Sequence, residues 1–362
     1  MATLKDVAAL AGVGMSTASR AISGKGPVSA DAAARVQAAI EALNFRPSSI
    51  GRAMATKQLG IIGIFVPTFF GSYYGTILKQ TDAELRAVHR HVVVATGCGD
   101  TSPREQAIEA VRFLIGRDCD AVVVISHDLH DDDLAMLHRL HPRMAFLNRA
   151  FEQMPEASFC ADHVHGGELA ARTLLEHGHR EIAVISGPSG SSDNRARLDG
   201  FFTELERGGV ARESVTLIES DFSPEGGYAA TGALLKTGPH FTALFCANDT
   251  MAVSALARLQ EAGLSVPHDV SVIGYDDDYS AAYTAPGLTS VHIPTAELAQ
   301  NAVRWLINQC YGSAWEIRRD FPVTVTMRGS VAGATKHRRK HAETRDETVA
   351  EKLADKQDEA RG

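Results

Sequence analysis

The residue types best suited to chemistry near the start of the chain lie in the segment MSTASRAI, which follows a glycine turn. If a helix begins at Met15, then Met15, Ser16 and Arg20 share its outer face, while the small residues between them face inward. A guanidinium can donate two hydrogen bonds to the edge of a guanine, and a serine hydroxyl can donate or accept one. The segment is therefore suited to reading base edges in DNA.

Three other segments contain residue types that bind metals or nucleotides. HDLHDDD at 127–133 is rich in residues that can bind a metal ion. Its acids also suit the first turn of a helix ending near Leu140, and we prefer this interpretation. His163 and His165 beside Asp162 could bind zinc, although polar surface is the simpler interpretation. GCGDTS at 97–102 lacks the last glycine of a GxGxxG motif and is read as a plain turn. With no nucleophile or paired-carboxylate arrangement evident, we predict no metal, no cofactor and no enzymatic activity.

The outer face of the MSTASRAI helix must be positioned by neighbouring short helices. Thr3 and Asp6 fit a capping box, and apolar residues recur at helical spacing up to Ala11. The turn Gly12-Val13-Gly14 then separates this first helix from the second. Ser29 can cap a third helix with one apolar face. Helix, tight turn, helix is the helix-turn-helix arrangement, whose second helix enters the major groove.

From residue 61 onward, short β-rich runs alternate with amphipathic helical runs. Continuous apolar strands separated by helices indicate parallel sheets covered on both faces. A TIM barrel is possible from the number of strands. The repetition in two halves favours two doubly wound sheets with a cleft between them, and ligands of such folds bind beyond the carboxyl ends of the strands.

Charge is distributed unevenly along the 362 residues. Residues 1–58 contain seven Lys/Arg and three Asp/Glu, a net charge of +4, whereas the whole chain has a net charge of −8. A small basic segment on an acidic body suggests that this segment alone binds a polyanion. The tail, 333–362, is read as disordered or as a solvated helix, with the alternative of a basic DNA contact through Lys336, Arg338, Arg339 and Lys340.

Composition excludes several other classes of protein. No apolar run approaches the ~20 residues that a membrane span needs, and no signal peptide is evident, so we predict a cytoplasmic protein. The five cysteines are widely spaced and lack a CxxC pair, and are read as buried free thiols.

The chain resembles the LacI/GalR family of transcriptional repressors. The resemblance is carried by KDVA.LAGV…ST.SR.I.G, by VS…..RV..AI..L.FRP and by IGRAM, and it extends through residue 332. It implies a helix-turn-helix domain (1–47), a hinge helix and linker (48–59), and a two-lobed effector domain like periplasmic sugar-binding proteins (60–332). The fold class is therefore a small all-α head followed by an α/β domain of two doubly wound parallel sheets.

The resemblance also implies a set of DNA-contacting residues. Ser48–Ala55 matches the hinge helix, in which Met54 stands where the family inserts a leucine between base pairs, and an apolar methionine suits that role. Gly51 replaces a usual alanine and makes this helix costlier to form by about 1 kcal/mol. The predicted DNA contacts are Thr3, Met15, Ser16, Thr17, Ser19, Arg20, Ser29 and Met54.

A second set of residues matches the family's effector contacts, at the ends of strands. Arg197 and Asp276 supply a bidentate donor and acceptor for neighbouring hydroxyls, and aromatic rings supply flat faces for a sugar. Asp162 and Asp276 are expected to offset Arg149 and Arg197, which argues against a phosphate. His163 departs from the asparagine usual in the family. The predicted effector contacts are Tyr73, Tyr74, Arg149, Asp162, Arg197, Phe222, Asn248 and Asp276.

Together these features predict a repressor of carbohydrate-utilisation genes, controlled by a small neutral sugar or glycoside bound between two lobes. The predicted partners are a pseudo-palindromic double-stranded operator and a second copy of the chain in a homodimer, with no membrane. The alternative is a solute-binding protein of a sugar transporter, which would have a signal peptide and no basic head.

Overall fold

We describe a computed structural model of the chain, which covers residues 2–23, 26–45, 58–237 and 240–334. The predicted hinge segment Ser48–Ala55, with Gly51 and Met54, and the tail beyond residue 334 lie outside the described residues. The chain divides into two compact units. The first consists of Met1–Asp162, Gly190–Asp193 and Ile293–Pro322, and the second of His163–Ser189, Asn194–His292 and Val323–Gly362.

Three short helices form the N-terminal part of the first unit. They are α1 (Leu4–Leu10), α2 (Met15–Ser23) and α3 (Ala30–Ala42). Each presents small or branched apolar residues to a common core, in which the most buried members are Val7, Ala18 and Val36. The core also contains Ala8, Ala11 and Ala39, and small alanines let short helices approach closely. The burial of Ala18 confirms the predicted inward face of α2.

The rest of the first unit is a parallel sheet flanked by helices. The strands follow the order β2-β1-β3-β4-β5 in the sheet. They are β1 (Ile61–Phe65), β2 (His91–Ala95), β3 (Ala121–Val124), β4 (Met144–Leu147) and β5 (Ser158–Phe159). The helices are α4 (Ser72–Ala87), α5 (Pro103–Gly116), α6 (Asp131–Leu140) and α11 (Thr295–Tyr311).

The second unit repeats this architecture with one strand more. Its strands follow the order β11-β10-β9-β8-β6-β7, and only the β10–β11 pair is antiparallel among the described pairs. The strands are β6 (Ile182–Ser186), β7 (Thr216–Glu219), β8 (Ala243–Cys246), β9 (Ser271–Asp276), β10 (Thr289–His292) and β11 (Thr324–Thr326). The helices are α7 (His163–Glu176), α8 (Ser192–Arg207), α9 (Pro224–Thr237) and α10 (Asp249–Glu261).

The predicted fold class is confirmed, and the barrel alternative is wrong because the strands form two separate sheets. The sequence contains eight β-rich runs, at 61–66, 91–96, 121–125, 144–148, 182–186, 215–219, 242–247 and 270–275, and all of them become strands. The strands β5, β10 and β11 were not predicted, because the polar residues in SF, TSVH and TVT interrupt any apolar run. Within the described residues, no helix is long and apolar enough to cross a membrane.

The thiols are distributed differently from the prediction. Cys119, Cys246 and Cys310 are buried, but Cys98 is exposed and Cys160 is only partly buried. The interpretation of all five as buried thiols is therefore wrong for these last two.

Candidate DNA-reading helix and ligand-binding residues

The outward face of α2 presents the side chains that the sequence singled out. Met15 is 55% exposed, and Ser16, Ser19 and Arg20 are also exposed, whereas Thr17 is partly buried. The Nε of Arg20 donates to the Ser16 carbonyl oxygen at 3.1 Å, which lays the guanidinium along the start of the helix. This face offers hydroxyl groups at the helix N-terminus, the part of such a helix that meets base edges, and a cation from the last turn that bonds back to Ser16.

Thr3 and Ser29, two other predicted DNA contacts, cap helices. The Thr3 hydroxyl donates to the Asp6 carboxylate at 2.7 Å and accepts from the Asp6 amide, so the predicted capping box is confirmed. The Thr3 hydroxyl and amide lower the pKa of the Asp6 carboxyl. The Ser29 hydroxyl accepts from the Ala32 amide at 3.3 Å at the start of α3. Both hydroxyls thus stabilise the start of a helix, α1 for Thr3 and α3 for Ser29, independently of any contact with DNA.

The turn between α1 and α2 depends on Gly12. Its φ is +62°, in the left-handed region that residues with a Cβ rarely adopt. The amide of Val13 reaches back to the Ala8 carbonyl oxygen at 3.0 Å and closes the end of α1. This turn lets α2 begin at Met15, directly after Gly14.

In the second unit, Arg197 lies on α8 with its side chain buried. It is 2% exposed, and its Nη1 donates to the Ala247 carbonyl oxygen at the end of β8. Its guanidinium lies 3.7 Å from the ring centre of the fully buried Tyr275, and 6.0 Å from that of Phe222. A buried cation over an aromatic face is strongly oriented, because little water screens the contact.

Phe222 and Asn248 are linked by a direct hydrogen bond. The Asn248 side-chain amide donates to the Phe222 carbonyl oxygen at 3.1 Å, while its oxygen accepts from the Met251 amide and caps α10. Phe222 has φ +65°, and its ring lies so close to Gly187 that a Cβ there would overlap it. The phenyl ring is therefore held beside the end of β6.

Asp276 ends β9 in an unusual backbone conformation beside a buried carboxyl group. Its φ is +104°, which is costly for a residue with a Cβ. Asp249, which is 0% exposed, accepts from the Ser290 hydroxyl and from the Asp278 amide, each at 2.7 Å. Burial, reinforced by the charge of Asp276, raises the pKa of Asp249 well above its ordinary value. The loop that carries Asp276 is thereby tied to β10 and to the start of α10.

The interpretation of His163 as polar surface is wrong. The side chain is 4% exposed, and its Nδ1 lies 3.0 Å from the Tyr275 hydroxyl, whereas His165 is partly exposed and lies near Glu168. Gly166, one turn further along α7, leaves room for Tyr275, since a Cβ there would lie 2.2 Å from the tyrosine hydroxyl. His163 therefore supports the same tyrosine on which Arg197 stacks.

The predicted effector contacts of the first unit lie at the ends of its own strands and helices. Tyr73 and Tyr74 occupy the first turn of α4, partly buried, with ring centres 5.2 Å apart in an edge-to-face arrangement. Asp162 is exposed. Arg149 pairs with Asp131 at 2.6 Å and also donates to the Leu129 carbonyl oxygen. Asp131 thus supplies a counter-charge for Arg149 that the sequence analysis did not foresee, and the expected balance by Asp162 and Asp276 stays a prediction.

Three acids of the HDLHDDD segment lie in the first turn of a helix, as the preferred interpretation predicts. Asp131, Asp132 and Asp133 occupy the first turn of α6, where carboxylates stabilise the positive end of the helix. Arg104 forms a bidentate pair with Asp133, at 2.7 and 2.9 Å, which lowers the pKa of that carboxyl. The described part of the chain holds no group of His, Cys, Asp or Glu arranged to bind a metal ion.

Comparisons with known proteins agree with this geometry. Residues 3–48 match the model of bacterial regulatory proteins of the lacI family, and residues 171–331 match that of periplasmic binding protein-like domains. The transcriptional regulator GalR of Escherichia coli K12 is 32% identical over 345 residues, which cover 94% of this chain and 99% of GalR. The chain belongs to the LacI family.

Two solved structures of LacI-family proteins extend the comparison. A transcriptional regulator from Burkholderia phymatum is 79% identical, with a TM-score of 0.75 over 75% of this chain and 99% of that one. The lac repressor dimer, bound to operator and the anti-inducer ONPF, is 29% identical, with a TM-score of 0.80 over 91% of this chain and 99% of that one.

LacI-family membership makes the chain a DNA-binding transcriptional regulator rather than an enzyme. It also decides against the alternative of a transporter's solute-binding protein, since the match to the lacI family model covers the N-terminal helices. The individual DNA and effector contacts stay predictions, as do the domain boundaries. Met54 lies outside the described residues.

The sequence analysis did not predict that three residues of the second unit, His163, Asp249 and Tyr275, are buried and bonded. Asp249 follows the helix cap Asn248, a position where carboxylates are ordinarily exposed, but here it packs against Gly274 of β9 and bonds to Ser290 of β10. Tyr275 ends the apolar run VSVIGY, so the signal for its burial was present. Its contacts with His163 and Arg197 join distant parts of the chain and leave no local pattern.

Proposed function

We propose that this LacI-family regulator is a repressor whose binding to a pseudo-palindromic operator is controlled by a small neutral sugar or glycoside. One observation carries the proposal. Arg197, Asn248, Asp276 and Phe222 all belong to the second unit, where Arg197 bonds the end of β8 and Phe222 bonds Asn248. A guanidinium, a carboxylate, an amide and an aromatic face are the groups that proteins use for vicinal hydroxyls and sugar rings.

The neutral character of the effector is argued from the resemblance, which assigns a carboxylate, Asp276, and a guanidinium, Arg197, to the same set of contacts. Asp276 ends β9, and Asp278 follows it in the next loop. A carboxylate among the contacts opposes a phosphate or carboxylate ligand, whereas hydroxyls accept from a guanidinium and donate to a carboxylate. Tyr73, Tyr74, Arg149 and Asp162 of the first unit are proposed as further contacts from the resemblance alone.

The oligomer is proposed to be a homodimer. One three-helix part reads a half-site only, and two copies related by a twofold axis read a palindrome. The lac repressor of the comparison is a dimer bound to operator. Residues 333–362 contain one leucine, Leu353, and therefore lack the repeated leucines of a helical tetramerisation bundle.

A thermal-shift screen of neutral sugars, glycosides, sugar phosphates and nucleobases tests the effector class. Selection of duplexes from a random-sequence library then identifies the operator, and its affinity is measured with and without the effector. We expect a melting shift with a neutral sugar or glycoside, and an altered operator affinity. Shifts confined to phosphorylated or nucleobase compounds would contradict the sugar, and selection of a single asymmetric half-site would contradict the dimer.

A further inference from the structure

The carboxylate of Asp120 collects four hydrogen bonds where the chain enters β1. The amides of Leu59, Gly60 and Ile61 donate to it at 2.8, 2.6 and 3.3 Å, and the Tyr311 hydroxyl donates at 2.8 Å. Asp120 is only 6% exposed, so these bonds form away from water. Three consecutive amides directed at one carboxylate define the course of the backbone, because charge-assisted bonds of this kind are strong and directional.

The carbonyl oxygens of the same short segment are hydrogen-bonded as well. The Gly60 and Ile61 carbonyl oxygens accept from the His91 and Asp120 amides at 3.1 and 2.7 Å, and the Gln58 side chain donates to the Cys310 carbonyl oxygen. Gly60 has φ +75°, a conformation that suits glycine, and a Cβ there would lie 3.1 Å from the side chain of Arg90. Residues 58–61 are thus bonded on both sides.

Tyr311 is itself fixed at the end of α11. The guanidinium of Arg90 lies 4.5 Å from the centre of its ring. Burial, together with the Asp120 carboxylate, raises the pKa of the Tyr311 hydroxyl, so that it stays protonated and serves as a donor. The Asp120 carboxylate, at the start of β3, therefore joins residues 59–61 to the last turn of α11.

We propose that Asp120 is a positioning residue for DNA binding, which clamps residues 58–61 and so restrains the attachment of the DNA-binding segment that precedes them. The proposal rests on the proposed function, because it concerns a dimer with two DNA-binding segments. When one segment is bound, the affinity for the second half-site depends on how tightly the attachment limits the space that the other segment explores. If residues 58–61 are released, the effective concentration of the second DNA-binding segment at its half-site falls. Each segment's own contacts with DNA stay the same.

The test compares two duplexes selected by the wild-type protein. One is the full operator, and the other is the same duplex with one half-site scrambled. Asp120→Asn keeps the size of the side chain but leaves one oxygen to accept from the three amides and the tyrosine. Tyr311→Phe removes a single donor. Asp118→Asn is the matched control, since it makes the same charge change at an exposed position two residues away.

We expect Asp120→Asn to reduce the preference for the full operator over the half-site duplex by about twofold, with half-site affinity unchanged. Amide hydrogen exchange at residues 59–61 should accelerate in the same variant. Tyr311→Phe should also reduce the preference for the full operator and accelerate exchange at 59–61, but to a smaller extent. Asp118→Asn should match the wild type in both measurements. A merely structural role would lower the melting temperature without changing the ratio of the two affinities.

An unchanged ratio together with faster exchange at 59–61 would overturn the clamp. If Asp120→Asn does not fold, Tyr311→Phe decides by the same two measurements. If the wild-type protein binds both duplexes equally, the dimer of the proposed function is wrong, and the role of Asp120 in DNA binding, which requires two linked segments, is wrong with it. If the wild-type protein prefers the full operator and Asp120→Asn changes neither this preference nor the exchange at 59–61, the role of Asp120 alone is refuted.

Discussion

The guanidinium of Arg197 lies 3.7 Å from the centre of the Tyr275 ring, and the hydroxyl of that ring lies 3.0 Å from Nδ1 of His163. The three side chains come from α8, β9 and α7, and each is less than 5% exposed. The tyrosine thus fixes the arginine through its face and is itself fixed through its hydroxyl. This arrangement orients the guanidinium in advance, so the proposed contact with an effector would cost little side-chain entropy.

Arg197→Ala should abolish the effector response and leave operator affinity within about twofold of wild type. The ligand acts only through its differential affinity for two states of the protein, and this change removes a contact proposed to supply that difference. Operator affinity is measured over a titration of the effector that the screen identifies. Arg195→Ala, an exposed neighbour on the same helix, is the control. A normal response in Arg197→Ala would disprove the site.

Tyr275→Phe should weaken effector binding less than Arg197→Ala, because the aromatic face under the guanidinium remains. It should also lower the unfolding free energy by roughly 1–3 kcal/mol, since His163 loses its hydroxyl partner at a buried position. Isothermal titration and chemical denaturation measure the two effects. His163→Asn, which restores the residue usual in the family, shows whether an amide serves as well. An unaltered denaturation curve for Tyr275→Phe would contradict the role of this hydrogen bond.

Asp277 should contribute stability that depends on pH in a defined direction. Burial raises its pKa, but hydrogen bonds from His292, Thr326 and Arg328 outweigh burial and lower it from 3.8 to about 2. A carboxyl whose pKa is lower in the folded protein stabilises it above the unfolded pKa, and this stabilisation is lost as the pH falls from about 4 towards 2.

Asp277→Asn should therefore cost about 2 kcal/mol near neutral pH and progressively less below pH 4. Denaturation curves of wild type and variant at pH 6 and pH 3 measure the difference. Asp269→Asn, a carboxyl in a loop of the same unit, serves as the control. A difference that is constant with pH would contradict the assigned pKa.

Arg20→Ala should relax base preference, with a loss of ~1–3 kcal/mol of discrimination at one position of each half-site. Met54→Ala should instead lower affinity for all sequences alike, because an apolar wedge supports bending and reads no base edge. Binding selections on both variants measure the preference and the affinity separately. Arg35→Ala, a cation paired with Asp31 on α3, should leave the ranking of sequences unchanged. Equal effects of Arg20→Ala and Met54→Ala would refute the assignment.

Features that depend on neighbouring residues could be read from the sequence. They include the capping box of Thr3 and Asp6, the cap at Ser29, the helix of Asp131–Leu140 and the eight strands that arise from β-rich runs. Apolar runs that alternate with helical periodicity also suffice for two doubly wound sheets. The family resemblance added the roles of individual residues, which remain to be tested.

The tertiary structure decided what depends on distant pairing. Asp120 meets residues 59–61 and Tyr311 across large sequence separations, Asp249 is buried by β9 and β10, and His163 is buried against Tyr275. The sequence marks each of these only as a polar residue near a strand or a helix end. Whether such a group is solvated or buried and bonded depends on which strands become neighbours, because the cost of burying it is offset only by partners that folding brings together.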